Sequence, residues 1–183
     1  MNSKVSLPGL RSPGVGFEQP FEMLDACHDR VRRSLKLLSD LRAYLHTHAC
    51  DDSARQAARD VLRYFDLAAP LHHQDEELHI FPALKQSCAD DADLQSSIRQ
   101  LQQDHEDMHA HWERTLRGVL KALADGSIGQ FTAAQEAEFD VMIQRYDRHL
   151  RMEDGVIYPA ARKVVAVPQQ QAMGEEMAAR RRQ

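Results

Sequence analysis

The chain lacks several features that common classes of protein require. Its 183 residues include only three cysteines, at positions 27, 50 and 88, an odd number without paired spacing. A disulfide framework is therefore not expected, and a reducing cytoplasm is the default location. No apolar run approaches the roughly 18 residues that span a bilayer, and the first 17 residues have no apolar signal-peptide region. These absences predict a cytoplasmic protein that does not enter a membrane.

Sequence motifs for several kinds of chemistry are also missing. A net charge of −5 and a sequence pI of about 6.0 provide no basic surface for nucleic acid. There is no Gly-x-Ser-x-Gly elbow and no glycine-rich phosphate loop, which argues against a hydrolase or a nucleotide-binding enzyme. A hydrophobic content of 43% over this length fits one globular domain with a substantial core.

Two stretches of the chain share one pattern of histidine, glutamate and proline. His72, Glu76 and Pro82 form the first copy, and the same residue types recur with the same spacing at positions 149, 153 and 159. Residues at i and i+4 lie on the same face of a helix, so each copy presents an imidazole beside a carboxylate. Such a pair can bind a transition metal such as iron, copper or zinc.

A lone histidine extends this repeat. His28 precedes His72 by the same number of positions as His105 precedes His149, so the interval from one copy to the next is constant for all the repeated residues. Scattered surface and core histidines would not be expected to keep this spacing. The sequence therefore predicts a metal site with six candidate ligands, namely His28, His72, Glu76, His105, His149 and Glu153.

The apolar periodicity predicts four long helices, at about 21–48, 53–87, 93–124 and 133–165. We expect an all-α fold, an antiparallel up-down-up-down four-helix bundle over residues 18–166. Residues 1–17 would form an irregular arm, and residues 167–183 a tail or short helix. Pro70 and Pro82 fall inside the second helix, and each removes a helical hydrogen bond, so we expect a bend or break at both.

The heights of the candidate ligands along the helices agree with one site. If the first turn lies near residue 50, His28 and His72 are equally far from it along the chain, and His105 and His149 are equally far from a turn near residue 127. Since every helical residue rises about 1.5 Å, equal counts from a turn mean equal heights on neighbouring helices. The four histidines are therefore expected at one level.

These motifs resemble those of the hemerythrin family, in its HHE cation-binding branch, over roughly residues 20–165. The resemblance implies a non-haem pair of iron ions (Fe2+/Fe3+) bridged by two carboxylates and an oxo or hydroxo group. Its terminal ligands would be the four histidines of the repeat, and its bridges would be Glu76 and Glu153. Zinc or manganese are possible substitutes for iron, because ligand type alone does not exclude them.

Four neighbouring residues leave alternatives open. His109 stands four residues after His105, which matches the His-x-x-x-His of oxygen-carrying hemerythrins, so we expect it to be a further ligand. Asp154 could replace Glu153, since the oxygen carriers have His-x-x-x-x-Asp here, but the internal repeat favours Glu153. Glu77 and His73 are interpreted as solvated neighbours, or as partners that orient the ligands.

The resemblance implies that O2 or another small diatomic molecule such as NO binds at the iron pair. Four aromatic residues could form a dry wall around the open position, although each could equally be ordinary core: Phe65, Phe81, Trp112 and Tyr158. One alternative is an iron-dependent enzyme that reacts with NO or peroxide or repairs iron–sulfur clusters. Another is an iron or oxygen sensor that acts through a partner. Whether the protein is an enzyme stays open, and a monomer or homodimer is expected.

Overall fold

The computed structural model describes residues 16–182, and the arm expected at residues 1–17 lies almost entirely outside this range. The described residues form helices and contain no strand. They fall into five continuous helical segments: α1 Pro20–Leu45, α2 residues 52–87, α3 residues 92–124, α4 residues 133–164 and α5 Val167–Arg180.

Polar side chains start three of these helices. Asp51 and Asp91 each accept a hydrogen bond from the backbone N–H three residues later, at the starts of α2 and α3. Thr132 and Gln135 form a reciprocal capping box at the start of α4. These caps satisfy backbone donors that have no partner within the helix.

The prolines inside the helices are accommodated without a break. A wide π-helical turn at Tyr64–Ala68 precedes Pro70, and equivalent turns at Glu76–Ile80 and Glu153–Ile157 precede Pro82 and Pro159. After each turn the next N–H bonds to the carbonyl five residues back, for example from Phe81 to Glu76. A proline removes a hydrogen bond and crowds the carbonyl four residues earlier, so a wider turn relieves both problems. A fourth such turn, Trp112–Leu116, has no proline after it.

Two apolar clusters divide the core. One joins the C-terminal half of α1 and the first half of α4 to the start of α2 and the end of α3. The other joins the start of α1 and the end of α4 to the end of α2, the start of α3 and α5. On each of α1 to α4, one cluster lies almost entirely before the repeated histidine in the chain and the other lies after it. The two repeated glutamates, on α2 and α4, also lie between the clusters. The polar site is therefore enclosed by apolar packing above and below it.

The C-terminal segment is a helix that packs on α1. Met173 and Met177 are buried beneath it. Near its end, Arg180 and Arg181 both bind the carboxylate of Asp75, which is fully buried. Among residues 16–182, no helix has the length and apolar character required to cross a bilayer.

Candidate metal centre

Six of the seven predicted ligands come together at the middle of the bundle. Each of α1 to α4 contributes one histidine, and α2 and α4 each add the glutamate one turn later. All six side chains are at most 6% exposed. On α2 and α4, the histidine and the glutamate are four residues apart, so they point in the same direction, as expected from the sequence.

The six side chains form two groups that share both glutamates. His28 and His72 make the first group with Glu76 and Glu153, and His105 and His149 make the second group with the same two glutamates. Within each group, one ligand atom of every residue lies within 4.8 Å of the others. Asp154 belongs to neither group.

The first group is arranged around the Nε2 atom of His28. This atom lies 3.1 Å from Glu153 Oε2 and 3.9 Å from Glu76 Oε1. His72 Nε2 approaches the same Glu76 oxygen at 3.8 Å. The hydroxyl of Tyr158 donates to Glu76 Oε1 at 2.5 Å and lies 2.9 Å from His28 Nε2. A phenol oxygen therefore closes this side of the site.

The second group has the same pattern without a phenol. His149 Nε2 lies 2.9 Å from Glu153 Oε1, and His105 Nε2 lies 3.4 Å from Glu76 Oε2. The two imidazole Nε2 atoms are 3.1 Å apart. In place of Tyr158, its counterpart in the repeat, Phe81, packs with its ring centroid 5.7 Å from that of His105.

Two further carboxylates orient the lone histidines. His105 Nδ1 donates to Glu77 Oε1 at 3.0 Å, and His28 Nδ1 donates to Asp154 Oδ1 at 2.7 Å. Burial alone would raise the pKa of Asp154, but the bonds from His28 and Arg32 hold it below its ordinary value. Burial opposes a similar lowering of the pKa of Glu77 by His105. Both carboxylates are therefore ionised acceptors, and they leave each Nε2 facing the site.

The donor set fits a metal ion. Six of the seven buried side-chain polar atoms without a hydrogen bond, among the described residues, belong to this site, on His72, Glu76, His149 and Glu153. Although an imidazole approaches Glu153 to 2.9 Å, the alignment is not that of a hydrogen bond. Leaving so many buried polar atoms unpaired is costly. Four of these atoms, on His72 (Nε2), Glu76 (Oε2) and Glu153 (Oε1 and Oε2), face one another, and cations coordinated there would satisfy these four together.

The electrostatics of the site also favour cations. Burial lowers the pKa of His28, but the carboxylates of Asp154, Glu153 and Glu76 outweigh it and raise that pKa to about 11. Burial likewise opposes the rise of the pKa of His149 to about 9, which is caused mainly by Glu153. Two buried carboxylates thus draw positive charge into the centre, as protons or as metal ions.

The structure does not bring His109 to the other six predicted ligands. Its side chain is exposed. The buried face of α3 runs from Leu101 through His105 and Met108 to Trp112, so Met108 takes the inward position after His105. We therefore leave His109 out of the site.

His73 is a residue whose place the sequence did not reveal. The sequence predicts a solvated or orienting neighbour, whereas in the structure one of the His73 ring nitrogens lies within 4.8 Å of nitrogens of His105 and His149. Its ring is nearly parallel to that of His105, with centroids 4.0 Å apart and an interplanar angle of 12°. Glu77 does orient a ligand, which is one of the two interpretations that the sequence allowed. Asp154 was considered only as a replacement for Glu153, but it occupies the position equivalent to Glu77 in the other copy of the repeat and has the same orienting role.

A cavity of about 440 Å³ opens beside the second group. His73 and His105 line it, together with four largely apolar side chains: Phe65, Met108, Trp112 and Tyr146. Phe65 and Trp112 are thus in the expected wall, whereas Phe81 and Tyr158 are not among the residues that line this cavity. His109 contributes to the lining from its exposed position. The cavity offers a small molecule a route to the second group.

Comparison with known proteins agrees with this geometry. Residues 19–176 match the family model described as the hemerythrin HHE cation binding domain. The chain is also 33% identical over 165 residues to an uncharacterized protein of Haemophilus influenzae, an alignment that covers 90% of this chain and 91% of the relative. The family match extends over α1 to α4 and into α5.

Proposed function

Because the chain belongs to the hemerythrin HHE cation-binding family, we propose that it holds a non-haem pair of iron ions that binds O2 or another small diatomic molecule. His28 and His72 would be terminal ligands of one ion, and His105 and His149 of the other. Glu76 and Glu153 would bridge the two ions. Iron suits a mixed set of imidazole and carboxylate ligands, and zinc or manganese would be substitutes.

The observation that carries this proposal is the sharing of two buried glutamates by two groups of histidines. A single structural ion would need only one group, and a solvated acidic patch would not be buried. One glutamate is on α2 and the other is on α4. From these two helices, each carboxylate would face both ions. An iron pair held here would supply an open coordination position and the electrons for reversible O2 binding.

The proposal includes an antiparallel arrangement of α1 to α4. It is supported by the two apolar clusters, in which the start of one helix groups with the end of the next. In this arrangement, residues of two neighbouring helices that are equally many positions from the turn between them would lie at the same height. The residues of the cavity wall would then serve to exclude bulk water from the second group.

The decisive experiment is anaerobic loading with Fe2+, followed by metal analysis and optical spectra before and after O2. We expect two irons per chain and a charge-transfer band that appears with O2 and disappears on degassing. Glu76→Ala should lose both ions, because both groups use this carboxylate. Glu175→Ala, which changes an exposed glutamate on α5, is the matched control and should keep both.

The other outcomes have clear meanings. Irons that oxidise once and stay oxidised would contradict reversible binding and favour an enzyme reacting with NO or peroxide, or a sensor acting through a partner. Failure of the wild-type chain to bind two irons would contradict the metal pair itself.

A further inference from the structure

The two halves of the site differ at two repeat-related positions. Tyr158 stands in the first group where Phe81, its equivalent in the other copy of the repeat, stands in the second. His73 stands beside the second group, and its equivalent in the other copy is Leu150, which is buried and apolar. The first group therefore has a phenol where the second has an apolar ring, and the imidazole beside the second group has an apolar residue as its repeat equivalent.

The cavity lies on the side of this imidazole. His73 and His105 both contribute to its lining, and neither His28 nor His72 does. A molecule that enters through this cavity reaches the second group and passes His73. The difference between the halves thus coincides with the difference in access.

The orientation of the His73 ring is unsuited to sharing an ion with His105. Imidazole nitrogens coordinate through lone pairs in the plane of the ring. With nearly parallel rings whose centroids are 4.0 Å apart, these lone pairs run side by side and do not converge on one point. His73 therefore faces a position next to the ion that His105 would bind.

The nitrogens of His73 are available for a new partner. Among residues 16–182, neither ring nitrogen has a hydrogen bond, although the ring is partly buried. Of the other histidines near the second group, His105 and His149 face the glutamates. His109 is exposed. An imidazole carries at least one N–H in either protonation state, so His73 can donate at any pH at which the protein is folded.

We propose that His73 is the hydrogen-bond donor that holds a small exogenous ligand, an anion or a diatomic molecule, at the His105/His149 position. The inference rests on the proposed metal pair and deepens it, because it assigns one of the two ions and one side chain to ligand binding. His73 selects ligands that can accept a hydrogen bond.

Azide is a suitable probe, because it is a small anion that accepts hydrogen bonds and its binding to ferric protein can be followed optically. The protein loaded with two ferric ions would be titrated with azide for the wild type, His73→Leu, His73→Gln and His109→Leu. Leucine is the residue that the other half of the repeat carries at this position, so the substitution suits a buried site. His109→Leu is the control, since it changes an exposed imidazole in the same cavity.

We expect His73→Leu to keep two irons and to weaken azide binding about tenfold, the loss of one hydrogen bond to a charged group. His73→Gln retains an N–H donor and should recover part of the affinity, which a purely structural role would not predict. His109→Leu should stay within about twofold of the wild type.

Equal azide affinities in the wild type and His73→Leu would overturn the inference and leave the metal pair intact. Loss of one iron from a folded His73→Leu variant, checked by circular dichroism, would also overturn it and identify His73 as a metal ligand. Absence of iron from the wild type would instead contradict the proposed function itself.

Discussion

The close approach of α5 to the start of the described chain makes a sharp prediction. An ideal Cβ added to Gly174 would lie 1.9 Å from the carbonyl oxygen of Phe17 and 3.0 Å from its carbonyl carbon. Ordinary contact begins near 3.4 Å, so in Gly174→Ala the two backbones must separate by about 1.5 Å (3.4 − 1.9). Glycine is used where backbones approach this closely.

The magnitude follows from two opposing effects. Overpacking of this kind costs about 1–3 kcal/mol, while replacing a helical glycine with alanine gains about 0.8–1 kcal/mol. We therefore expect a net loss of up to about 2 kcal/mol in the free energy of unfolding. For a chain of this length that lowers the Tm by up to about 8 °C. Limited trypsin digestion should also cut earlier at Arg180 and Arg181, because α5 would dock less firmly.

Gly118→Ala is the matched control. Gly118 is also helical, on α3, but nothing lies within 4 Å of an added Cβ. The same substitution should therefore raise the Tm by about 2–4 °C, from helix propensity alone. Thermal unfolding followed by circular dichroism would measure both variants. Tm shifts of the same sign in the two variants would refute the reasoning about the Gly174 contact.

Three further predictions concern charge and the metal centre. Replacing both Arg180 and Arg181 with alanine leaves the buried carboxylate of Asp75 unpaired and should cost about 3–5 kcal/mol in urea unfolding; an unchanged midpoint would contradict this. Since carboxylates raise the pKa of His28 to about 11 and of His149 to about 9, both are protonated at pH 7 without metal. Metal binding should then release protons, and the affinity should rise with pH by up to about tenfold per unit for each proton. Calorimetry in buffers of different ionisation heat would detect this release, and buffer-independent heats would argue against it. Tyr158→Phe removes the donor to Glu76 and should weaken metal binding about 10–100-fold in chelator competition, whereas Tyr146→Phe should change it less than about twofold.

The chemistry of the site was predictable from the sequence because it depends on local periodicity. The spacing of four residues between His72 and Glu76 places both on one helical face in any helix. The constant interval of the repeat then relates His28 to His105 without knowledge of the fold. These regularities predicted which side chains would meet, and the structure places the six together.

The exact direction of single residues was not predictable in the same way. His109 and His73 each neighbour a repeat histidine, and a helix turns about 100° per residue. Whether such a neighbour faces the site depends on how the helix is rotated by packing against others. On α3, Met108 and Trp112 fill the inward positions and leave His109 exposed. On α2, the same freedom turns His73 towards His105.

The sequence by itself determined the helical class, the ligand types and the repeat that pairs them, because each follows from residue identity and helical period. Only the tertiary structure decided that Pro82 is absorbed in a wide turn beginning at Glu76, that Tyr158 closes one half of the site, and that a cavity opens on the other. These features depend on contacts between helices that are distant in the chain. Such contacts are set by the packing of the whole core, and no local pattern encodes them.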